Sequence, residues 1–248
     1  MPLHDTLWPF PRLIAHRGAG TLAPENTLAA MRVGAQYGYA MVEYDVKLTR
    51  DGVAVLLHDD SVDRTSNGQG KLSELNFNDL VAMDFGGWHS RAYAGEPIAT
   101  LHAISAFTQA NGIYSNIEIK PSAGTDAATG RQVARLAAQL WTDPASPPLL
   151  SSFSEAALLA AQDEAPHLPR ALLLGDTVPD DWPDRLARLG CSAIDIQHTL
   201  LTQELINEAH ERGYRITTWT VNDPQLAGEL LALGCDALFT DAIREIAP

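Results

Sequence analysis

Short apolar or β-branched runs alternate along the chain with longer stretches of helical periodicity. The runs typical of strands are Leu13–His16, Met41–Val46, Asn116–Ile119, Leu149–Ser152, Arg170–Leu174, Ala193–Ile196, Arg215–Trp219 and Ala237–Thr240. The amphipathic stretches between them include Gln132–Leu140, Glu155–Asp163, Asp184–Leu189, Gln203–Arg212 and Pro224–Leu233. Strands that alternate with helices predict a parallel sheet, and this number of strands favours a closed (β/α)8 (TIM) barrel.

One further strand-like run, Val53–His58, does not fit this alternation. It follows Val46 by too few residues for a crossover helix, and Arg50–Gly52 supplies the turn residues of a hairpin. We therefore predict that Met41–His58 is a barrel strand that continues into a β-hairpin above the rim. Pairing across the turn would return the end of the hairpin to the level of Glu43.

The stretch 59–100 has many turn residues and weak periodicity. It predicts a small insertion over the carboxyl end of the barrel, between the second and third barrel strands. Leu101–Ala110 is then the helix that returns the chain to the third strand. The whole chain, 1–248, is expected to form one barrel domain with an insertion at about 47–100.

Charge and length limit the classes of function. At 248 residues the chain has the usual size of one (β/α)8 barrel. Its net charge of −14 argues against a nucleic-acid-binding surface, which would need clustered Lys and Arg. An anionic ligand would need a locally positive site, which a bound divalent cation could supply.

The absence of membrane and signal segments, and the small number of cysteines, bear on where the protein is located and on whether it contains disulfides. No apolar run approaches the roughly 18 residues that a membrane span needs. Met1–Asp5 lacks the basic and apolar regions of a signal peptide, so the cytoplasm is the expected location. Cys191 and Cys235 each follow a glycine before a predicted strand and are expected to be buried thiols. The sequence does not predict an oligomeric state.

In a (β/α)8 barrel, the chemistry lies at the carboxyl ends of the strands. The predicted register places three carboxylates, two imidazoles and two cations there: Glu43, Asp45, Glu118, His16, His58, Arg17 and Lys120. All come from the first three barrel strands and the hairpin, so we expect one shared site.

The carboxylates alternate with apolar neighbours, which predicts that Glu43, Asp45 and Glu118 face the barrel lumen. A solvent-facing or salt-bridged role is the ordinary alternative for each. Inward carboxylates without a cation would repel one another and be costly to desolvate. Three oxygen ligands suit one hard divalent ion, Mg²⁺ or Ca²⁺, better than zinc.

His16 and His58 follow apolar strand runs and reach the same rim, where they suit general acid and base work. Arg17 could bind a phosphate with two donors and Lys120 with a point charge, although an ion pair is the alternative for Arg17. Trp219, at the end of the seventh strand, could contact substrate or simply pack.

Two short segments near the first strand carry weaker signals. Gly18–Gly20 is glycine-rich but lacks the full spacing of a nucleotide-binding loop. Pro24–Thr27 is predicted to start the first helix and not to carry chemistry.

The motifs together resemble the glycerophosphodiester phosphodiesterases nearly end to end. The matching motifs are His16-Arg17-Gly18, Ala23-Pro24-Glu25-Asn26-Thr27, Glu43-Tyr44-Asp45-Val46, Asp51-Gly52, His58-Asp59, Arg64-Thr65-Ser66, Glu118-Ile119-Lys120, Ser151-Ser152-Phe153, Trp219-Thr220-Val221-Asn222 and Thr240-Asp241. A motif in this many parts is far more specific than any single element, and it is most similar to bacterial cytoplasmic members of the family.

The resemblance implies hydrolysis of a small glycerophosphodiester to sn-glycerol 3-phosphate and an alcohol. It implies a divalent cation held at Glu43, Asp45 and Glu118. It also implies that His16 and His58 form the acid–base pair and that Arg17 and Lys120 contact phosphate.

Three other classes stay open at this point. A diesterase that acts on lysophospholipids or inositol phospholipids would be expected to show an apolar rim or a basic anchor, and neither is evident. A glycosidase would use two of the carboxylates, but it has no need of the histidine pair or of Arg17 and Lys120. A binding protein that has lost catalysis would be expected to lack an acid–base residue, and here both are present.

Overall fold

The structure is a computed structural model that describes residues 8–248. Its strands are β1 Leu13–Ala15, β2 Met41–Leu48, β3 Ala54–Leu56, β4 Tyr114–Ile119, β5 Leu149–Ser152, β6 Arg170–Leu174, β7 Ala193–Gln197, β8 Arg215–Trp219 and β9 Ala237–Thr240. The order β1-β9-β8-β7-β6-β5-β4-β2 closes on itself, because β1 also pairs with β2 in parallel. The parallel strands therefore form the predicted (β/α)8 barrel, and β3 stands outside it as an antiparallel partner of β2.

The helices are α1 Leu28–Gln36, α2 Phe77–Leu80, α3 Leu101–Ala110, α4 Asp126–Leu140, α5 Glu155–Glu164, α6 Trp182–Leu189, α7 Gln203–Glu211 and α8 Pro224–Leu233. Side-chain oxygens of Thr27, Thr100, Thr202 and Asp223 cap α1, α3, α7 and α8. Short 3₁₀ turns cover His16–Gly18, Leu72–Glu74, Arg91–Tyr93 and His198–Leu200.

Helix α4 begins at Asp126, well before the predicted start at Gln132. Its first turns contain Gly130, which is a poor helix former and weakens the sequence signal. That glycine lies so close to α5 that a Cβ there would overlap the backbone of Ala157. Packing against α5 therefore stabilises a helical turn that local propensity does not favour.

The predicted hairpin is present and carries its last residue back to the rim. Val46 pairs with Leu56, and the amide of Leu57 donates to the carbonyl of Asp45 over 3.1 Å. His58 follows directly. The segment 59–100 packs its own apolar cluster against β3: Val55, Leu57, Val62, Leu72, Leu80, Phe85 and Ile98.

The lumen is closed at the amino-terminal end by an apolar floor made of Phe10, Ile14, Met41, Leu149, Ala171, Ala193, Ala237 and Phe239. Polar side chains therefore collect above this floor, toward the carboxyl ends of the strands. Cys191 and Cys235 are buried free thiols, as predicted.

Two expectations about location have different outcomes. The N-terminal segment Met1–Asp5, on which the cytoplasmic location depends, lies outside the described residues, so that location stays a prediction. Within residues 8–248, no helix combines the length and the apolar character needed to cross a bilayer.

Candidate active site

A cavity of about 210 Å³ opens at the carboxyl end of the barrel. Its lining includes seven of the eight residues predicted from sequence: His16, Arg17, Glu43, His58, Glu118, Lys120 and Trp219. It also includes residues to which the sequence assigned no role in the site: Asn116, Ser151, Phe153, Leu173, Asp195, Thr220 and Phe239. One oxygen of Asp45 lies within 4.8 Å of oxygens of Glu43 and Glu118, which line the cavity, so the predicted set is brought together.

Glu43, Asp45 and Glu118 form a compact acidic trio. Asp45 on β2 stands opposite Glu118 on β4, and one oxygen from each of the three carboxylates lies within 4.8 Å of the others. Burial, and then the neighbouring Asp45 carboxylate, raise the pKa of both Glu43 and Glu118. Glu43 Oε1 has no hydrogen-bond partner among the described residues. Three crowded carboxylates with a free buried oxygen fit one hard divalent cation.

Asp45 is held from both sides. Asn26, whose φ is 60°, donates from Nδ2 to Asp45 Oδ2 over 2.7 Å and accepts from the Asp45 amide over 3.0 Å. Lys120 Nζ lies 3.2 Å from Asp45 Oδ1. The segment Pro24–Thr27 does start α1 through the Thr27 cap, as predicted, but Asn26 also orients the acidic trio. The only sequence signal for this was an asparagine, which tolerates positive φ.

His16 is anchored by a carboxylate from the neighbouring strand. Its Nδ1 lies 2.7 Å from Asp241 Oδ1, and its Nε2 lies 3.8 Å from Glu43 Oε2. Burial acts to lower the pKa of His16, but the carboxylates of Asp241 and Glu43 outweigh it and raise the pKa overall. The Asp241 amide in turn donates to Asn222 Oδ1 over 2.8 Å. Asp241 therefore fixes the ring so that Nε2 faces the cavity.

His58 has a similar anchor. Its Nδ1 lies 2.8 Å from Asp59 Oδ1, and Arg64 Nε donates to Asp59 Oδ2 over 2.7 Å. Burial lowers the pKa of His58, the nearby Arg17 and Lys120 add to that effect, and Asp45 opposes it. Both histidines thus have Nδ1 occupied by a carboxylate, which leaves Nε2 for a ligand.

Arg17 adopts a φ of 51°, and its amide donates to Glu43 Oε2 over 2.9 Å. Its guanidinium pairs with Glu25 over 2.8 Å, which is the ion pair that the sequence left open, yet the side chain still lines the cavity. Glu25 also accepts two hydrogen bonds from Arg64 at 2.8 Å. One carboxylate therefore ties the loop after β1 to the loop after the hairpin.

An aromatic pair forms one wall of the cavity. Trp219, at the end of β8, meets Phe153, which follows β5, edge to face with ring centroids 5.7 Å apart. Phe153 is 48% exposed, so the wall reaches the cavity mouth. The sequence signal for Phe153 was its position directly after a strand, within the Ser151-Ser152-Phe153 motif. Because the side chain is apolar, that position alone is equally typical of ordinary packing.

The carboxyl end of this (β/α)8 barrel carries three carboxylates, two anchored imidazoles and the positively charged side chains of Arg17 and Lys120. This arrangement is typical of metal-assisted hydrolases with a barrel fold. Residues 16–245 match the glycerophosphoryl diester phosphodiesterase family. A glycerophosphodiester phosphodiesterase of Caldanaerobacter subterraneus is 30% identical over 229 residues, covering 92% of this chain and 93% of that protein.

Solved structures agree. A phosphodiesterase of Oleispira antarctica, in complex with the product sn-glycerol-3-phosphate, has a TM-score of 0.91 at 33% identity, with 96% of this chain and 95% of that chain covered. A glycerophosphodiester phosphodiesterase of Agrobacterium tumefaciens has a TM-score of 0.77 at 26% identity, with 96% and 99% covered. The chain therefore belongs to the glycerophosphoryl diester phosphodiesterase family, and it is an enzyme that hydrolyses glycerophosphodiesters. Which branch of the family it is most similar to stays a prediction.

Proposed function

We propose that this chain hydrolyses small glycerophosphodiesters to sn-glycerol 3-phosphate and an alcohol, and that it works as one catalytic domain with an insertion at about 47–100. The observation that carries the proposal is the convergence of His16 and His58, each anchored through Nδ1, on a cavity that also contains Arg17 and Lys120. The Oleispira antarctica relative binds sn-glycerol-3-phosphate as its product, which supports the same product here.

The cofactor we propose is one divalent cation, Mg²⁺ or Ca²⁺, held by Glu43, Asp45 and Glu118. The free Oε1 of Glu43 and the mutual repulsion of the trio support this assignment. When bound, such an ion supplies Lewis-acid polarisation of a phosphoryl oxygen. Asn26 and Lys120 would keep Asp45 in its orientation for this role.

The side chains then divide the work. Arg17 and Lys120 bind the phosphate oxygens and offset negative charge as it grows at phosphorus. His16 and His58 act as an acid–base pair through Nε2: one removes a proton from the nucleophile, and the other protonates the departing alkoxide. The nucleophile is either water or the adjacent glycerol hydroxyl, which would give a cyclic phosphate first. Trp219 and Phe153 line the path of the substrate carbons.

The test is release of sn-glycerol 3-phosphate from glycerophosphocholine by EDTA-stripped protein, with and without added Mg²⁺ or Ca²⁺. We expect release only when an ion is added. Hydrolysis in ¹⁸O-labelled water, with detection of any cyclic phosphate, separates the two nucleophiles. Folded protein that releases no product with either ion would contradict the proposed substrate. Full activity in excess EDTA would contradict the proposed cofactor.

A further inference from the structure

A layer of polar side chains lies in the lumen above the apolar floor and beside the acidic trio, with Asn116 opposite Glu43. Asn116 is two residues before Glu118 on the same face of β4, and Ser151 on β5 stands opposite Glu118. Asp195 on β7 is two residues beyond Ala193 of the floor. Asn116, Ser151 and Asp195 are at most 1% exposed, and all three line the cavity.

These three side chains have oxygens that no described residue satisfies. Asn116 Oδ1, Ser151 Oγ and Asp195 Oδ1 are buried without a hydrogen-bond partner. Buried polar groups are normally paired, so three oxygens that face one cavity without a protein partner are available to bind a ligand. The mechanism described above does not use any of them.

The neighbouring hydroxyls that face away from the lumen behave differently. Ser152, next to Ser151, donates to the carbonyl of Ile119 over 2.6 Å. Thr218, on the outer face of β8, donates to the carbonyl of Ile196 over 2.8 Å. On β5 the outward-facing hydroxyl is therefore paired within the protein, whereas the cavity-facing one, Ser151 Oγ, has no partner among the described residues.

We propose that Asp195, together with Asn116 and Ser151, binds the free hydroxyl groups of the glycerol moiety and makes the enzyme specific for it. This inference rests on the proposed function and names residues that determine its substrate. The layer is enclosed by the floor, so it suits the constant part of the substrate. The half-exposed Phe153 marks the open side, where the variable alcohol leaves. The phosphate lies between them, beside Arg17 and Lys120.

The chemistry of the layer matches a diol. Burial raises the pKa of the Asp195 carboxyl well above its ordinary value. Its unpaired Oδ1 can accept a hydrogen bond from a ligand hydroxyl. Asn116 Oδ1 adds an acceptor and Ser151 Oγ adds a group of either kind. A hydroxyl can both donate and accept, and the layer offers it acceptor oxygens together with the Ser151 hydroxyl as a donor.

Calorimetric binding of two phosphate monoesters tests the inference without turnover. The ligands are sn-glycerol 3-phosphate and 3-hydroxypropyl phosphate, which lacks only the central hydroxyl, in buffer with saturating Mg²⁺. We expect the natural chain to bind the first about tenfold more tightly, the usual worth of one or two hydrogen bonds. Ser151→Ala and Asp195→Ala should each reduce this ratio toward one.

Ser152→Ala is the matched control, because it removes the same hydroxyl from the outer face of the same strand. Ser152→Ala is expected to keep the same ratio of affinities for the two esters as the natural chain, even if the variant is less stable. Equal binding of the two esters by the natural chain would overturn the inference, and so would an unchanged ratio in both Ser151→Ala and Asp195→Ala. If the chain binds sn-glycerol 3-phosphate more tightly than 3-hydroxypropyl phosphate but hydrolyses no diester, the proposed function is wrong. The assignment of the hydroxyl-binding layer would still hold in that case.

Discussion

His16 and Asp241 are 225 positions apart in sequence, yet His16 Nδ1 and Asp241 Oδ1 lie 2.7 Å apart. The reason is the closure of the barrel. Strand β1 pairs with β9, with Ala15 opposite Thr240, and His16 and Asp241 are the residues that directly follow these two strands. The last strand of the chain thus supplies the group that orients a side chain from the first. If His16 acts as proposed, its catalytic geometry should therefore depend on Asp241 and not only on His16 itself.

Replacing Asp241 with Asn is expected to lower kcat by about 10- to 100-fold, as loss of an orienting partner typically does. The amide has the size of the carboxylate, but it no longer presents only acceptor oxygens to Nδ1, so the ring can turn and change tautomer. Steady-state kinetics with glycerophosphocholine at saturating metal measures the effect, which should fall on kcat more than on KM.

Asp236→Asn is the control for that variant. Asp236 precedes β9 at the other end of the barrel, where it contacts His210 Nε2 over 2.8 Å and accepts from the Ile216 amide over 2.9 Å. It should lose stability and keep its turnover per folded molecule. If the two variants have the same kcat, Asp241 has no special role.

Alanine at His16 or at His58 is expected to lower turnover by about 10² or more, because each removes one proton-transfer group. His210→Ala serves as the control, since that ring lies on α7, away from the cavity. Circular dichroism would establish that all three variants are folded before rates are compared. Near-normal rates for both His16→Ala and His58→Ala would exclude the acid–base assignment.

The proposed ion should act on stability as well as on rate. Saturation at 100 times its dissociation constant would add about 2.7 kcal/mol to the free energy of unfolding, which corresponds to roughly 5–10 °C in Tm for a chain of this size. Glu43→Gln removes one charge from the trio and keeps an acceptor for the Arg17 amide. The ion-induced shift should therefore vanish in Glu43→Gln, while the metal-free Tm should not fall.

Glu74→Gln is the control for that shift, because Glu74 is a mostly exposed side chain whose contact is a surface pair with Lys71. It should retain the full ion-induced rise in Tm. Thermal unfolding with and without EDTA measures all three proteins. A shift of equal size in Glu43→Gln would rule out the acidic trio as the ion's site.

The sequence predicted the parts of the site that local pattern determines. Glu43 with Asp45, and Glu118 with Lys120, are two residues apart on strands with apolar neighbours, so their face followed from the strand period. The return of His58 followed from a turn that is too short for a crossover. These residues needed no knowledge of distant contacts.

The contacts of the remaining site residues depend on tertiary structure. Asn26 and Asp241 lie within the motifs of the resemblance, but no local pattern reveals what they contact. Asp241 meets its partner only when the barrel closes. Asn26 lies in the segment that was predicted to start the first helix, which accounts for its presence in the sequence without any role in the site. Its hydrogen bond to Asp45 depends on a backbone with positive φ. Asp195 is a single carboxylate within a strand, and such a residue usually faces solvent or an ion pair. Only the three-dimensional structure shows that Asp195 Oδ1 is buried beside the cavity without a hydrogen-bond partner among the described residues.

Gly20 offers a test of how closely the rim is packed. Its φ is 53°, and a Cβ there would overlap the backbone of Asp241. Gly38 has a φ of 85° with open space around it. Gly38→Ala should lower the free energy of unfolding by about 1–2 kcal/mol, because the residue must hold a left-handed backbone. Gly20→Ala should lower it further, because its Cβ also overlaps the Asp241 backbone. Only Gly20→Ala must also displace Asp241 and so release His16.

Gly20→Ala should therefore lower kcat as Asp241→Asn does, whereas Gly38→Ala should keep the kcat of the natural chain. Equal kcat in the two glycine variants, measured well below their Tm, would mean that Asp241 can move without disturbing the catalytic ring.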